Sequence, residues 1–319
     1  MIRRVSAFFP MRLLGLHHIT AIAGDGKRNV DFYTRVLGLR LVKKTVNFDD
    51  PGTYHLYYGN AAASPGTLLT FFLWDGLPRG RSGAGLTTAV AYSVPADALD
   101  FWRARLQANG VAVTGPARRF GEQVLVFADP DGLPLELVAG PESDPRTPAP
   151  HPEVPADKAI RGFHGVTLAT AAAAASAAVL TADMGYHPVA QEGPRSRYAV
   201  GKGGPGTYVD LLTDPGLPRG RSGLGTVHHV AFRTPNESSQ QEARDVLAAI
   251  GLGVSPVIDR SYFHSIYYRE PGGVLFEIAT DGPGFAIDEP IDRLGRSLRL
   301  PPWYEPRRAE IEAHLPPLE

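Results

Sequence analysis

The side chains best suited to chemistry in this chain are histidines that occur in two adjacent pairs. His17-His18 and His228-His229 each stand at the start of a short apolar segment, and Glu277 lies within a third one, VLFEIA. The 319 residues include no cysteine, so a metal ion could be held only by histidine and carboxylate side chains. Two imidazoles and one carboxylate would make a three-ligand metal site if the fold brings these segments together.

The second histidine pair lies within an internal repeat. Residues 76–95 read GLPRGRSGAGLTTAVAYSVP and residues 216–235 read GLPRGRSGLGTVHHVAFRTP, and twelve of the twenty positions are identical. Such a repeat indicates two copies of one architecture, so function is sought where the copies differ. They differ at Thr88-Ala89, which becomes His228-His229. The GRSG segments are kept in both copies, which favours a structural role for these loops.

Each half of the chain divides again into two similar modules. Every module begins with an apolar strand, continues as a helix that ends at a glycine, and finishes with further strands, which predicts the order β-α-β-β-β four times. Glycine suits a helix end because it adopts the left-handed conformation easily. The terminating glycines are Gly38, Gly110, Gly185 and Gly251, the predicted helices are Asp31–Leu37, Ala98–Ala108, an alanine-rich run after Thr170, and Gln240–Ile250, and the last strands are Leu68–Leu73, Leu133–Val138, Tyr208–Leu212 and Val274–Ala279.

Proline-rich stretches mark the expected boundaries of an α+β fold. Six prolines between residues 140 and 158 exclude a helix there and predict an extended linker. The first residues lack the long apolar region of a signal peptide, and no apolar run is long enough to cross a membrane. We expect an N-terminal extension at residues 1–14, a first module pair at 15–140, a linker at 141–160, a second module pair at 161–282, and a C-terminal tail at 283–319 with a short helix around Arg307–His314.

Strand alternation sorts the candidate residues by face. His18 and His229 fall on the smaller and more polar face of their strands, which suits the lining of a cavity. Counting from the glycines places Glu277 at the last-strand position that is Glu136 in module two and Asp210 in module three, and the 140-residue offset of the repeat gives Thr70 in module one. Pairing of modules one and four would unite His18, His229 and Glu277, the two-histidine, one-carboxylate set of non-heme Fe(II) oxygenases. Pairing of sequence neighbours, the default expectation, would instead place His229 and Glu277 with Asp210.

The chemistry favours the pairing of module one with module four and of module two with module three. The second of these pairs is predicted to enclose a cavity without histidines or a catalytic metal.

The segments GLHHIT, VHHVAF and R-x-Y-F…Y…PGGVLFEIA resemble the vicinal oxygen chelate superfamily, most closely the ring-cleaving dioxygenases that open hydroquinones. The resemblance runs from about residue 15 to about residue 301. It implies four modules arranged as two cup-shaped mixed sheets, and an Fe(2+) site, with Mn(2+) as an alternative, held by His18, His229 and Glu277.

The same resemblance assigns the residues around the substrate. It implies catalytic roles for Arg260, Tyr267 and His228, and substrate binding by His17 and Thr20. Strand alternation alone points His17 and His228 toward the helix side, although the pleat is often irregular at the first residue of a strand. A three-residue loop at 271–273 would place Tyr267 opposite Glu277. A structural role is expected for Glu136, as an ion pair, and for His55, His164, His187 and His264.

The expected activity is an extradiol-type dioxygenase reaction on a hydroquinone or related aromatic diol, with O₂ as the second reactant. Two alternatives stay open: a glyoxalase-type metal-dependent lyase or isomerase, and a metal-free protein that binds an aromatic compound or drug. The formal net charge of -1 argues against nucleic acid or an anionic membrane as a partner. We expect a cytoplasmic protein, and exposed module edges make a homo-oligomer plausible.

Overall fold

The computed structural model describes residues 11–140, 143–214 and 216–318. Within these ranges the β-α-β-β-β order occurs four times, as the sequence predicts. Of the expected N-terminal extension, residues 1–10 lie outside the described residues. The strands are β1 Leu16–Ala23, β2 Arg40–Asn47, β3 Asp50–Gly59, β4 Leu68–Leu73, β5 Leu86–Ser93, β6 Thr114–Arg119, β7 Glu122–Ala128, β8 Pro134–Ala139, β9 Gly162–Ala169, β10 Tyr186–Glu192, β11 Arg195–Val200, β12 Tyr208–Leu212, β13 Thr226–Thr234, β14 Ile258–Asp259, β15 Phe263–Arg269 and β16 Leu275–Pro283, and the helices are α1 Gly26–Asp31, α2 Leu99–Ala108, α3 Ala173–Ala178, α4 Glu237–Ala249 and α5 Arg308–His314.

Module one pairs with module four, and module two with module three, rather than one with two and three with four. One eight-stranded mixed sheet has the order β14-β15-β16-β13-β1-β4-β3-β2, and the other has the order β10-β11-β12-β9-β5-β8-β7-β6. The antiparallel contact of β1 with β13 joins modules one and four, and that of β5 with β9 joins modules two and three. The predicted pairing and the two cup-shaped mixed sheets are therefore confirmed, and the default pairing of neighbours is wrong here.

The repeated GRSG loops hold the two halves together. Arg81 and Arg221 exchange backbone hydrogen bonds, and the Gly80 amide donates to the Leu224 carbonyl. A Cβ atom at Gly83 would lie 2.2 Å from the Pro218 carbonyl oxygen, so only glycine allows this backbone contact. The sequence motif kept in both copies is thus one of the places where the copies touch.

Two helices begin earlier than the sequence pattern predicts. Helix α1 starts at Gly26 rather than Asp31, because the Asp25 side chain accepts a hydrogen bond from the Arg28 amide and caps the helix there. It continues as a π-helical turn over Phe32–Val36. Helix α4 starts at Glu237 rather than Gln240, because the Asn236 side chain accepts from the amide of Ser239. Local caps therefore decided the helix starts.

The C-terminal tail covers the outer strand of the first sheet. The buried Lys43 ammonium lies 2.6 Å from carboxylate oxygens of both Asp288 and Glu289. Further along, the Tyr304 hydroxyl donates to the Phe48 carbonyl oxygen at 2.8 Å. The tail thereby supports the turn between β2 and β3. No helix within the described ranges is both long and apolar enough to cross a membrane.

Candidate metal centre

Three buried side chains converge on one point in the first sheet. Glu277 Oε2 lies 2.9 Å from His229 Nε2 and 3.3 Å from His18 Nε2, and the two Nε2 atoms are 3.3 Å apart. All three residues are at least 96% buried. Among the described residues these are the side chains grouped closely enough to hold one metal ion.

The strand register explains the convergence. His229 on β13 lies opposite Thr20 on β1, and His18 lies opposite Ala231. Ala231 in turn pairs with Glu277 on β16. The three side chains thus come from neighbouring positions on three adjacent strands, on the face that strand alternation assigns to the cavity.

The protonation of this cluster suits a cation. Burial alone raises the pKa of Glu277, but the neighbouring His18 and His229 outweigh it and hold that pKa well below its ordinary value. Burial lowers the pKa of His229, which favours the neutral imidazole that a metal requires. Ser265 Oγ donates to Glu277 Oε1, whereas Oε2 makes no hydrogen bond of acceptable geometry. An ionised buried carboxylate beside two imidazole nitrogens fits a metal ion.

The first histidine of each pair holds the second. Nδ1 of His17 lies 2.9 Å from Nδ1 of His18, and Nδ1 of His228 lies 2.8 Å from Nδ1 of His229. The strand pairing skips one residue at each place, so His17 and His228 are the extra residues of β-bulges. Burial lowers the pKa of each of these two side chains to about 3. The bulges let consecutive histidines meet, which regular alternation of faces forbids.

A cavity of about 430 Å³ opens above the cluster. Its wall includes His228, Arg260 and Tyr267, three of the residues that the family resemblance names, beside the aromatic rings of Phe48, Phe72 and Trp74. The ring centroid of Phe72 lies 5.5 Å from that of His228. An aromatic wall over a polar floor suits a flat, ring-shaped ligand.

Arg260 and Tyr267 form one unit on this wall. Tyr267 pairs with Glu277 across the strands, as a three-residue loop at 271–273 predicts. Arg260 Nε donates to the Tyr267 hydroxyl oxygen at 3.1 Å, and its Nη1 donates to Asp49 Oδ2 at 3.0 Å. Burial lowers the pKa of Arg260, but Tyr267 and Asp49 outweigh it and raise that pKa above its ordinary value. A permanent cation therefore faces the cavity.

The structure does not bring His17 and Thr20 to the cavity wall. The His17 ring packs against Phe263 with centroids 5.0 Å apart, and Thr20 is fully buried with its hydroxyl oxygen 2.7 Å from that of Thr70. In contrast, His55 lies on the wall although the sequence indicated a structural role for it. The signal that would have found it is strand register. His55 lies two residues before the partner of Thr70 on the adjacent strand, just as Ser265 lies two residues before the partner of Glu277.

The second sheet carries ion pairs where the first carries the cluster. Arg119 holds Glu136 through two hydrogen bonds of 2.7 and 2.9 Å, the ion pair that the sequence predicts. Arg197 bridges Glu122 and Asp210 at 2.6 and 2.8 Å. These contacts leave a cavity of only about 10 Å³, too small for a ring-shaped ligand.

The expectation that this second cavity lacks histidines is wrong. His164 lies on its wall, 2.7 Å from Glu122. The pairing of β5 with β9 matches Ala91 to Gly165 and Tyr92 to Phe163, so His164 is the extra residue of another bulge. The bulge removes the strict alternation of faces on which the expectation depended.

Removing Arg197 will destabilise the protein strongly. The variant Arg197→Met leaves two buried carboxylates without their shared cation, so the free energy of unfolding should fall by about 3–5 kcal/mol. The exposed pair of Arg35 with Asp31 supplies the control, and Arg35→Ala should cost no more than about 0.5 kcal/mol. Urea denaturation of both variants measures the difference. Equal losses would contradict a buried role for the Arg197 network.

Comparisons with known proteins agree with this architecture. The family model described as the Glyoxalase/Bleomycin resistance protein/Dioxygenase superfamily matches residues 15–137 and 154–278. MhqO of Bacillus subtilis (strain 168), by name a proposed ring-cleaving dioxygenase, is 48% identical over 308 residues, which span 97% of each protein. A chlorohydroquinone/hydroquinone 1,2-dioxygenase of Sphingobium indicum is 36% identical over 315 residues, which span 95% of this chain and 96% of that protein.

A solved structure matches the whole fold. The crystal structure of a proposed dioxygenase from Bacillus subtilis subsp. subtilis str. 168 has a TM-score of 0.93 and 47% identity, covering 97% of this chain and 98% of the other. The resemblance seen in the histidine motifs is thus confirmed over nearly the full length. The chain belongs to the glyoxalase/bleomycin resistance protein/dioxygenase superfamily.

Proposed function

We propose that this protein is a metal-dependent ring-cleaving dioxygenase that acts on a hydroquinone or a related aromatic diol. The observation that carries the proposal is the convergence of His18, His229 and Glu277 beneath an aromatic-lined cavity. The names of relatives at 36–48% identity support it, because they describe ring-cleaving and hydroquinone dioxygenases. We further propose the extradiol type, in which the ring opens beside a hydroxyl-bearing carbon.

His18, His229 and Glu277 are the proposed ligands of Fe(2+), or of Mn(2+) in its place. When bound, such an ion supplies one-electron chemistry and open coordination positions where substrate and O₂ can meet. The protein holds both imidazoles in place through His17 and His228, whose contacts fix the ring orientation. The rings of Phe48, Phe72 and Trp74 give the cavity an apolar wall.

The proposed catalytic residues act on charge and protons. Arg260 stabilises negative charge that develops on substrate oxygen, since its guanidinium is held toward the cavity by Tyr267 and Asp49. Tyr267 donates a hydrogen bond to the reacting oxygen. His228 lies on the wall, and we assign to it the transfer of a proton from a substrate hydroxyl.

His17 and Thr20 are proposed to act on the substrate indirectly. Neither lines the cavity, but His17 contacts His18, and Thr20 contacts Thr70. Their influence on substrate binding then passes through the residues that they hold.

The two alternative functions fit the cluster less well. A lyase or isomerase site of the glyoxalase type generally takes more carboxylate, and Thr70 occupies the position that corresponds to Glu277. A metal-free binding protein would have no use for a buried, ionised carboxylate placed within 3.3 Å of two imidazole nitrogens. Such a group costs free energy unless a cation compensates it.

Oxygen consumption tests the proposed function. Protein reconstituted with Fe(2+) under nitrogen should consume O₂ when methylhydroquinone or chlorohydroquinone is added, with catechol as the comparison substrate. An oxygen electrode and the spectrum of the ring-opened product give the readout. Absence of oxygen uptake with every diol would refute the proposal.

A further inference from the structure

Four side chains beside the proposed metal site form a single hydrogen-bonded chain. The Thr20 and Thr70 hydroxyl oxygens are 2.7 Å apart, and Thr70 Oγ1 lies 2.8 Å from His55 Nε2. His55 Nδ1 lies 2.9 Å from the hydroxyl oxygen of Tyr57. Thr20 and Thr70 are fully buried, whereas His55 and Tyr57 lie on the cavity wall. The chain therefore runs from the interior of the sheet to the cavity.

The duplicated architecture gives Tyr57 a counterpart in module four. Tyr57 pairs with Thr70 on β4, just as Tyr267 pairs with Glu277 on β16. Two tyrosines at equivalent positions thus border the same cavity from β3 and β15, one in each half of the sheet. Tyr267 is engaged with Arg260, whereas the hydroxyl of Tyr57 is engaged only with His55 among the described residues.

Counting protons determines the direction of the chain. Burial lowers the pKa of His55 and raises that of Tyr57, each far from its ordinary value, so the imidazole is neutral and the phenol keeps its proton. Each of the four groups then carries one proton for only three links. One proton is left over, and it must belong to Thr20, Thr70 or Tyr57, because the single proton of a neutral imidazole is needed for a link.

The surplus proton fits only at the cavity end. Among the residues that the structure describes, Thr20 and Thr70 have no hydrogen-bond acceptor other than each other and His55. A surplus hydroxyl proton on either would be a buried donor without a partner, which is unfavourable. The favoured order is therefore Thr20 to Thr70, Thr70 to His55 Nε2, and His55 Nδ1 to the Tyr57 oxygen. The Tyr57 proton then points to the cavity.

We propose that Tyr57 is a fixed hydrogen-bond donor to the second ring oxygen of the diol, and that His55 is its positioning residue. This inference rests on the proposed function. β3 is separated from β1, which carries His18, by β4, so Tyr57 addresses a part of the ring away from the three-residue cluster. A substrate with oxygen at two ring positions satisfies both ends, and a ring with a single hydroxyl leaves the Tyr57 donor unpaired.

The His55 tautomer tests the direction of the chain without a variant or a substrate. Nitrogen NMR of the ¹⁵N-labelled full chain, loaded with diamagnetic Zn²⁺, distinguishes protonated from unprotonated imidazole nitrogens. The expected result is a proton on Nδ1 of His55 and none on Nε2. A proton on Nε2 would reverse the direction of the hydrogen bonds. Tyr57 would then donate to His55 and offer only an acceptor oxygen to the cavity, which would overturn the inference.

Ligand affinity tests the role of Tyr57. Calorimetry under nitrogen with the Fe(2+)-loaded protein compares hydroquinone with 4-methylphenol, which lacks the second oxygen. Tyr57→Phe should weaken hydroquinone binding roughly tenfold and leave 4-methylphenol binding unchanged, because a single hydrogen bond to the second oxygen is lost. Tyr58→Phe is the matched control, since the Tyr58 side chain lies on the other face of β3, where its hydroxyl donates to Asn29 of α1.

The outcomes separate the two proposals. If the wild-type protein consumes O₂ with hydroquinones but Tyr57→Phe binds both ligands as the wild type does, only the role of Tyr57 is refuted. An equal loss for both ligands also refutes it, since a general packing defect would explain that result. If the wild type neither binds nor oxidises any diol, the proposed function fails and the role of Tyr57 fails with it.

Discussion

Replacing His229 with alanine is expected to abolish metal binding and leave the fold intact. The substitution removes one of three proposed ligands, and the affinity should fall by more than the roughly 10- to 100-fold that loss of an outer-shell partner causes. The fold should persist because the strand pairing of β13 with β1 and β16 uses backbone groups. Metal content after equilibrium dialysis against Fe(2+) or Mn(2+), together with circular dichroism, measures both effects.

Two substitutions in the second sheet serve as controls for this experiment. His164→Ala removes a buried histidine that bonds to Glu122, and Glu136→Gln removes a buried carboxylate that bonds to Arg119. Both variants should bind metal as the wild type does, because neither residue belongs to the cluster. Stoichiometric metal in His229→Ala, or its loss in a control variant, would contradict the assignment of the ligands.

Replacing Arg260 with methionine is expected to lower kcat by roughly 10²–10³-fold while metal content stays unchanged. The guanidinium is the fixed cation of the cavity wall, and loss of one preorganised donor at a developing oxyanion has an effect of this size. The side chain is 17% exposed and its partner Asp49 is 71% exposed, so little buried charge is left uncompensated. Steady-state oxygen uptake and metal analysis of the same samples give both readouts.

The neighbouring carboxylate supplies the matched control for Arg260. Asp49→Asn keeps the shape of the group that contacts Arg260 Nη1 and removes only an exposed charge. Its effect on kcat should be within a few-fold, since exposed ion pairs contribute at most about 1 kcal/mol. Arg260→Met with nearly wild-type turnover, or an equally large loss in Asp49→Asn, would show that the cation is not the stabilising group.

The sequence predicted the order of the modules, their pairing and the convergence of His18, His229 and Glu277. The repeat of residues 76–95 at 216–235 exposed the modules, and the two-residue alternation of strands placed His18 and His229 on one face. These features are local, so spacing along the chain suffices to read them. The pairing of module one with module four followed from chemistry, because it alone unites two histidines and a carboxylate.

The helix starts and the β-bulges were not predicted from the sequence. The start of α1 at Gly26 lies five residues before the predicted start at Asp31, because the Asp25 side chain accepts from a backbone amide. His17, His164 and His228 are each the extra residue of a bulge, so alternation of faces failed at these positions. A bulge is a property of two strands at once, and a single strand pattern contains no sign of it.

Spacing and repetition along the chain therefore identified the three side chains of the candidate metal site and the modules that carry them. The tertiary structure decided which other side chains meet around them: the Arg260 unit with Tyr267 and Asp49, the chain through His55 to Tyr57, and the ion pairs that leave almost no cavity in the second sheet. The physical reason is range. Strand alternation acts over a few residues, whereas these contacts depend on the register and curvature with which separate strands are brought together.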